Sequence, residues 1–206
     1  MISPQQIDDV LESYGFPQRA GLAEKFIVYI DLLMKWNDKI SLTTVTDPLE
    51  IARFHFGESL FGASKVEMKE SRLADVGTGA GFPGLPLAMA IPTLQVTLIE
   101  SNTKKCAFLA EVIRRLSISN ATVLQGRMES VNGERFDFVT ARALGHFDEL
   151  LTWSGIHLGA RGRLLLWLGA EDAGDLSVRA GWHWQSPIRI PGSSRRVLLI
   201  GEPFRE

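Results

Sequence analysis

A glycine-rich turn between two apolar segments constrains the fold more than any other feature of the chain. The first segment ends in Asp75, and four glycines follow within eight residues: Gly77, Gly79, Gly81 and Gly84. The second segment, 85–91, is predicted to begin a helix. A turn without Cβ atoms lets backbone N–H groups approach a ligand, with the positive end of a helix behind them. This strand–turn–helix unit therefore predicts a ligand site.

The glycines fit two ligand classes. Gly77-x-Gly79-x-Gly81, with an aspartate two residues before it, suits S-adenosylmethionine. Gly79-x-Gly81-x-x-Gly84 matches the dinucleotide fingerprint, but it would start two residues after the strand ends, where the fingerprint should start at once. Glu100 ends the next apolar run, at a distance where a carboxylate can hold ribose hydroxyls. Because both ligands contain a ribose, Glu100 predicts a nucleoside site without choosing between them.

Composition and charge exclude several classes of protein. Hydrophobic residues make up 45% of the 206 and charged residues 22%, which is ordinary for a globular domain. The single cysteine, Cys106, excludes an internal disulfide and a cysteine-based zinc site, and no metal site is predicted. A net charge of −2 argues against a protein that coats RNA nonspecifically. Without a signal peptide or a run of about twenty apolar residues, we expect a cytoplasmic protein that has no membrane partner.

Alternating patterns predict an α/β fold in one structural unit. Residues 1–60 carry an apolar stripe at three- and four-residue spacing and are predicted to be helical, with a helix start at Asp47-Pro48. The remainder, 61–206, is predicted to form the ligand-binding domain. Strand-length apolar runs occur at 73–76, 96–99, 121–124, 136–140 and 163–168. Helical patterns between them predict a mostly parallel, doubly wound sheet, and the runs 182–190 and 196–200 predict an antiparallel C-terminal hairpin. A helix near 109–116 is predicted to be capped by Ser101 or Thr103.

The residues after each strand limit the chemistry, because ligands bind such sheets at the carboxyl ends of strands. Methyl transfer from a sulfonium is an in-line displacement that depends mainly on alignment. Methylation of the exocyclic amines of bases often uses an Asn-Pro-Pro-Tyr type loop, whereas this chain has Thr140-Ala-Arg-Ala143. Methylation of pyrimidine carbon-5 needs a cysteine nucleophile, but Cys106 is expected to be a small buried hydrophobe. An acceptor with an available lone pair remains, such as guanine N7, or a small-molecule amine or oxygen. No general base is evident.

The charged residues near the strand ends admit two interpretations. Arg142 either pairs structurally with Asp137 or Glu129 or serves the cleft. His55 is expected to be a partly buried helix histidine. Surface exposure is the ordinary explanation for the basic residues Lys104, Lys105, Arg114, Arg115, Arg195 and Arg196, although the last two are also candidates for phosphate contacts.

The sequence also resembles a known family. Residues 75–87, DVGTGAGFPGLPL, look like the donor-binding motif of the RsmG (GidB) family, bacterial methyltransferases that modify guanine N7 in the decoding-region loop of 16S rRNA. The Phe-Pro-Gly continuation at 82–84 separates this family from other methyltransferases. The similarity continues in order along nearly the whole chain, at 36–37, 42–43, 47–48, 55–60, 100–101, 104–105, 108–109, 126–129, 136–137, 140–143 and 191–193.

The resemblance implies a Rossmann-like class I methyltransferase fold. It further implies S-adenosylmethionine as the methyl donor and S-adenosylhomocysteine as the product. The implied partner is 16S rRNA or the small ribosomal subunit, and the protein is expected to be a monomer. Glu100 is expected at the ribose, Met128 and Glu129 at the adenine, and Arg142 at the junction of donor and acceptor. The full predicted donor site is Gly77, Gly79, Gly81, Phe82, Glu100, Met128, Glu129 and Arg142. The predicted RNA contacts are His55, Arg53, Arg195 and Arg196.

Two departures from the family pattern bear on the acceptor. Ser41 stands where the family usually has asparagine, and Leu168 stands where members often have lysine. If that lysine holds RNA, the contact falls here to other basic residues. The missing lysine and a pI of about 6.1 favour a second hypothesis, a small-molecule acceptor. A third hypothesis is a ribosome-assembly protein that keeps the nucleoside pocket without turnover.

Overall fold

The N-terminal segment is helical, as its apolar stripe predicts. The computed structural model describes residues 2–142, 145 and 147–205. Helices α1 (Pro4–Ser13), α2 (Leu22–Asn37) and α3 (Pro48–Ile51) come first, and a π-helical stretch (Ala52–Gly57) leads from α3 into α4 (Glu58–Ala63). The Asp47 side chain accepts a hydrogen bond from the Glu50 N–H at 2.9 Å, and Pro48 occupies the first turn. The predicted helix start is thus confirmed.

The remainder forms a mixed sheet that confirms the α/β prediction. Its strands are β1 (Arg72–Val76), β2 (Gln95–Glu100), β3 (Ala121–Gln125), β4 (Phe136–Arg142), β5 (Leu158–Gly169), β6 (Trp182–Trp184), β7 (Ile188–Arg189) and β8 (Arg196–Pro203). The spatial order is β3-β2-β1-β4-β5-β8-β6, and β7 also pairs with β8. Strands β1 to β5 are parallel, whereas β8 is antiparallel to β5, β6 and β7.

The C-terminal hairpin is confirmed with one difference. Its first arm is not continuous, because β6 and β7 are separated by residues 185–187, which end in Pro187. A proline cannot donate to a strand ladder, so the interruption falls where the sequence removes a donor. The hairpin also adds β8 to β5, so that both β5 and β8 are interior strands of the sheet.

Three helices connect parallel strands, α5 (Gly84–Ala90), α6 (Thr103–Leu116) and α7 (Phe147–His157), and a fourth, α8 (Ala170–Ser177), connects β5 to β6. The cap of α6 is Asn102, whose Oδ1 accepts from the N–H groups of Lys104 and Lys105 at 3.0 and 3.1 Å. The prediction of Ser101 or Thr103 was therefore wrong. Thr103 already has helical geometry, and Asn102 is the extended residue just before the helix, where a cap belongs.

Two apolar clusters lie on the two faces of the sheet. One joins the N-terminal helices to α5 and α6 and includes Phe26, Phe56 and Phe108, while the other lies under α7 and α8 and includes Leu150 and Leu166. The N-terminal segment therefore shares a continuous core with the sheet, and the predicted division after residue 60 falls inside α4. This packing places residues 52–63 against the ends of β4 and β5.

Candidate active site at the carboxyl edge of the sheet

The glycine turn after β1 has the backbone geometry that its composition predicts. Gly77, Gly79 and Gly81 all have positive φ angles, of 65°, 60° and 91°. L-residues with side chains rarely adopt this region, so glycine is required by conformation. The N–H groups of Gly77 and Thr78 both donate to the Ile99 carbonyl, at 2.9 and 3.2 Å, which attaches the turn to the neighbouring strand β2.

Asp75 holds the turn from beneath. Its fully buried carboxylate accepts from the Gly84 N–H at 2.9 Å and from the hydroxyls of Thr78 and Thr140, the latter at 2.9 Å. Burial raises the pKa of Asp75 to about 6, and the three donors oppose that rise. A Cβ at Gly84 would lie 2.7 Å from Oδ2 of Asp75, so glycine there permits the bond that ties the turn to β1 and β4.

A cavity of about 380 Å³ opens beside this turn, at the carboxyl ends of β1, β2 and β3. Four of the predicted donor residues line it: Gly77, Glu100, Met128 and Glu129. The remaining lining residues are Val76, Ile99, Ser101, Gly126, Arg127, Glu149 and Leu150. A larger cavity of about 520 Å³ lies elsewhere, between residues 63–69 and 91–93. These segments precede β1 and β2, so the larger cavity lies at the opposite edge from the strand ends where ligands of such sheets bind.

Glu100 is held in a fixed orientation inside the smaller cavity. Its side chain is buried, Oε2 accepts from the Gly79 N–H at 3.0 Å, and Oε1 accepts from the Asn102 N–H at 2.8 Å. Each carboxylate oxygen has a second lone pair that can accept another hydrogen bond. The carboxylate is therefore preorganised by two backbone donors and retains acceptor capacity toward the cavity.

Two further residues predicted to contact the donor, Gly81 and Phe82, lie on the side of the glycine turn that faces the N-terminal helices. Phe82 is buried between the rings of Tyr29 and His55, with centroid distances of 5.4 and 4.7 Å. Tyr29 donates its hydroxyl to the Ala80 carbonyl at 2.6 Å, and a Cβ at Gly81 would overlap that hydroxyl. Gly81 and Phe82 thus pack on the N-terminal helices, and neither is among the residues that line the cavity. Direct contact of either residue with the donor stays a prediction.

Arg142 ends β4 and faces the N-terminal segment. Its Nη2 lies 3.5 Å from Oε2 of Glu58, while the Asp137 carboxylate accepts from the Arg72 N–H at 2.8 Å. The predicted structural pair with Asp137 or Glu129 was wrong, since residues 137 and 142 of one strand point to opposite faces. Burial lowers the pKa of Arg142, and the Glu58 carboxylate opposes that shift. Arg142 is not among the cavity-lining residues, and Ala143 lies outside the described residues.

The predicted RNA contacts lie in two groups. Arg53 is exposed and pairs with Glu50 at 2.8 Å. Arg196, at the start of β8, lies over the Phe54 ring at 4.6 Å and pairs with Glu58 at 2.7 Å. Its neighbour Arg195 is exposed. Folding thus brings the hairpin to residues 53–58. Leu168 is 8% exposed and belongs to the apolar cluster under α7 and α8.

His55 carries no charge at neutral pH. Its Nε2 lies 2.8 Å from the Thr43 hydroxyl, and its ring stacks on Phe82. Burial lowers the pKa of His55 to about 3, and the charges of Arg142 and Arg196 lower it as well. A neutral, half-buried imidazole lacks the positive charge that attracts phosphate.

The low pKa of His55 predicts a loss of stability in acid. The unfolded state binds a proton near pH 6.5, whereas the folded state resists protonation down to about pH 3. Between pH 7.5 and 5.0 the wild type should lose about 2 kcal/mol of unfolding free energy that His55→Gln retains. Asp75 shifts stability in the opposite sense, because its raised pKa makes the folded state bind the proton first, but it does so equally in both proteins. Urea unfolding at the two pH values measures the difference, and equal pH slopes would contradict the prediction.

Glu58 and Tyr29 are functional candidates that sequence reasoning missed. Glu58 is 1% exposed, and Tyr29 is fully buried. A signal for Glu58 existed, because it is the single carboxylate within a run rich in aromatic and apolar residues at 54–61. Tyr29 carried no such signal, because its aromatic ring fits the apolar stripe of α2.

Cys106 has the role expected of it. It is buried near the start of α6, and its thiol donates to the Glu100 carbonyl at 3.2 Å. Burial raises the pKa of the Cys106 thiol, and the Glu100 charge raises it further, so the nucleophilic thiolate is disfavoured. In the described part of the chain, no cluster of His, Cys, Asp or Glu side chains suits a metal ion. None of the helices described is both long and apolar enough to cross a bilayer.

Comparison with known proteins connects this site to one family. A family model described as rRNA small subunit methyltransferase G matches residues 22–181. The ribosomal RNA small subunit methyltransferase G of Stenotrophomonas maltophilia is 38% identical over 190 residues, which cover 89% of each chain. The protein of that name from Xylella fastidiosa is 38% identical over 180 residues, or 84% of each chain.

Solved structures show the same fold at low identity. A putative O-methyltransferase from Klebsiella pneumoniae superposes with a TM-score of 0.66 at 10% identity, over 96% of both chains. A ribosomal protein L11 methylase from Lactobacillus delbrueckii superposes with a TM-score of 0.64 at 14% identity, over 74% of this chain and 80% of the other. The fold is therefore the Rossmann-like methyltransferase fold, and by the family model and these relatives the chain belongs to the GidB family, rRNA small subunit methyltransferase G.

Proposed function

We propose that this protein transfers a methyl group from S-adenosylmethionine to N7 of a guanine in 16S rRNA. The observation that carries the proposal is the buried Glu100 carboxylate, held by the Gly79 N–H beside the exposed backbone of Gly77. A fixed carboxylate beside an open glycine backbone at the strand ends supports a nucleoside site in a chain that belongs to a methyltransferase family.

The cavity suits a donor that contains a nucleoside. Its volume of about 380 Å³ falls in the ordinary range of ligand sites. Glu100 would accept hydrogen bonds from the ribose hydroxyls, and Met128 and Glu129, at the end of β3, would flank the adenine. Gly77 leaves the backbone open to the ligand. When bound, the donor supplies a sulfonium-activated methyl group, and S-adenosylhomocysteine is the product.

The residues near the cavity favour an acceptor that needs no deprotonation. Guanine N7 already presents a lone pair, so transfer to it requires alignment rather than a base. The Cys106 thiol is buried against the Glu100 carbonyl, which argues against a route through a cysteine nucleophile. Arg142, at the end of the strand next to β1, would position the acceptor through its guanidinium donors.

The charge distribution supports an RNA substrate through a local basic face. The net charge of −2 excludes strong attraction by the whole protein. Arg53, Arg195 and Arg196 are nevertheless exposed or half-exposed, and Arg196 lies against the segment that contains Arg53. Phosphate contacts from these side chains would position the RNA.

Incubation with isotopically labelled S-adenosylmethionine tests the proposal. Small subunits from cells that lack the modification should acquire label at guanine N7, identified by mass spectrometry of nuclease digests, whereas already modified subunits should not. Free 16S rRNA tested in parallel shows whether the assembled particle is required. Tight donor binding without transfer to rRNA would contradict the proposal and favour the assembly protein. Transfer confined to a small amine or alcohol would favour the other alternative.

A further inference from the structure

Glu58 is a buried carboxylate that contacts two arginines from distant parts of the chain. Arg142 comes from the end of β4 and Arg196 from the start of β8, at 3.5 and 2.7 Å from its two oxygens. The Glu58 side chain is 1% exposed, whereas those of Arg142 and Arg196 are 16% and 36% exposed. The carboxylate is thus at the inner end of the cluster, and the guanidinium groups lie between it and the surface.

The surroundings of Glu58 fix its position. Its backbone carbonyl accepts from the Trp167 indole N–H at 2.6 Å, and Trp167 is the β5 partner of Arg142 in the sheet. A Cβ at Gly62, one turn further along α4, would overlap the Trp167 ring, so the helix packs closely on β5. The cluster therefore joins α4, β4, β5 and β8 at one point.

The charge balance of this cluster leaves it positive. Two guanidinium groups this close repel each other, and one carboxylate between them compensates for half of their charge. Each guanidinium has five N–H donors in a planar fork. A contact with Glu58 engages only one side of each fork. Nη1 of Arg142 is buried and has no hydrogen-bond partner among the described residues, so it remains available as a donor.

From this geometry, and resting on the proposed function, we propose that Glu58 is a positioning residue of the acceptor site. It holds Arg142 and Arg196 side by side so that the N–H groups that Glu58 does not engage, including the buried Nη1 of Arg142, bind one phosphate group of the acceptor RNA. Paired guanidinium groups match the oxygen geometry of a phosphate. The carboxylate itself does not touch the RNA.

The proposal predicts an effect opposite in sign to simple electrostatics. Replacing Glu58 by glutamine removes a negative charge, which by long-range attraction alone would strengthen RNA binding. If Glu58 positions the arginines, Glu58→Gln should instead weaken binding to small subunits by about tenfold, the loss of one charge-assisted contact. It should also reduce the slope of log affinity against log salt by about one, the loss of one phosphate contact.

Equilibrium binding to unmodified small subunits at several salt concentrations decides between these outcomes. Glu111→Gln is the matched control, because Glu111 also pairs with an arginine, Arg114 at 2.8 Å, and is partly exposed on α6, outside the cavity lining and the predicted RNA contacts. It should leave subunit affinity unchanged or slightly higher. Donor affinity, measured by calorimetry, should be unaltered in both variants, and Glu58→Asp should recover part of the loss since it keeps the charge.

Unchanged or tighter subunit binding by Glu58→Gln would overturn the proposal, as would an equal loss of donor binding, which indicates a purely structural role. If the glutamine variant fails to fold, Glu58→Asp decides, and wild-type affinity with a wild-type salt slope would overturn the proposal. Binding is measured separately from turnover. A wild type that binds subunits without methylating them would therefore refute the proposed function and still test Glu58.

Discussion

Gly77→Asp is expected to reduce donor affinity by at least about a hundredfold, the loss of roughly 3 kcal/mol of binding free energy. Gly77 is exposed and lines the cavity next to Glu100. An aspartate there adds a side chain where the backbone must approach the ligand. Its charge would also repel both Glu100 and the carboxylate of S-adenosylmethionine. Calorimetric titration with the donor measures the loss.

Gly133→Asp is the matched control for backbone strain. Gly133 has a φ of 69°, close to the 65° of Gly77, and a Cβ there would have no heavy atom within 4 Å among the described residues. Aspartate is one of the residues that tolerate this conformation best, so both variants should fold with similar small losses of stability. Only Gly77→Asp should lose affinity for S-adenosylmethionine. Wild-type affinity in that variant would show that the turn does not contact the ligand, and equal losses in both variants would indicate strain.

The features that the sequence predicted correctly depend on short-range patterns. Each of the five parallel strands contains the predicted apolar run. For the interior strands the reason is that a strand buried on both faces is a continuous apolar segment. The positive φ angles of Gly77, Gly79 and Gly81 follow from composition, since glycine is the residue that adopts them without strain. Glu100 was placed correctly because parallel strands end at one edge of the sheet, where its carboxylate reaches the glycine turn.

The features that sequence analysis missed depend on contacts between distant segments. One of the two interpretations of Arg142 paired it with Asp137 or Glu129, whereas the carboxylate that it contacts, Glu58, comes from a helix that precedes the whole sheet. The packing of Phe82 between Tyr29 and His55 also joins distant segments and had no signal in the sequence, while its contact with the donor stays a prediction. Side-chain direction across a helix–sheet interface has no local signature. The single carboxylate of Glu58 in the mainly apolar run at 54–61 indicates only that a buried polar or charged group must pair with it.

These packing contacts imply that the N-terminal segment belongs to the site as well as to the core. Tyr29 bonds to the turn from α2, His55 stacks on Phe82, and Glu58 pairs with the two arginines. Residues from this one segment therefore support both the glycine turn and the basic face. Its helices complete the site in addition to covering one face of the sheet.

Arg142→Ala is expected to lower turnover on small subunits about a hundredfold. This is the usual effect of removing one hydrogen-bond donor that acts on the reacting groups. Its effect on folding should be much smaller. Glu58 keeps its contact with Arg196 at 2.7 Å, so the buried carboxylate is not left unpaired, and we expect a loss of about 2 kcal/mol or less of unfolding free energy. Single-turnover methylation and urea unfolding measure the two effects.

Arg142→Lys separates charge from geometry at the same position. Lysine keeps a positive charge beside Glu58, so stability should return to within about 1 kcal/mol of the wild type, but it lacks the planar fork and cannot donate in the same directions. Turnover should therefore stay at least about tenfold below the wild type while folding recovers. A loss of about 2 kcal/mol leaves a typical domain, stable by about 5–15 kcal/mol, almost entirely folded, so a hundredfold loss of turnover cannot come from unfolding. If the lysine variant recovers turnover and stability together, Arg142 acts only through its charge pair with Glu58, and its role in positioning the acceptor is refuted.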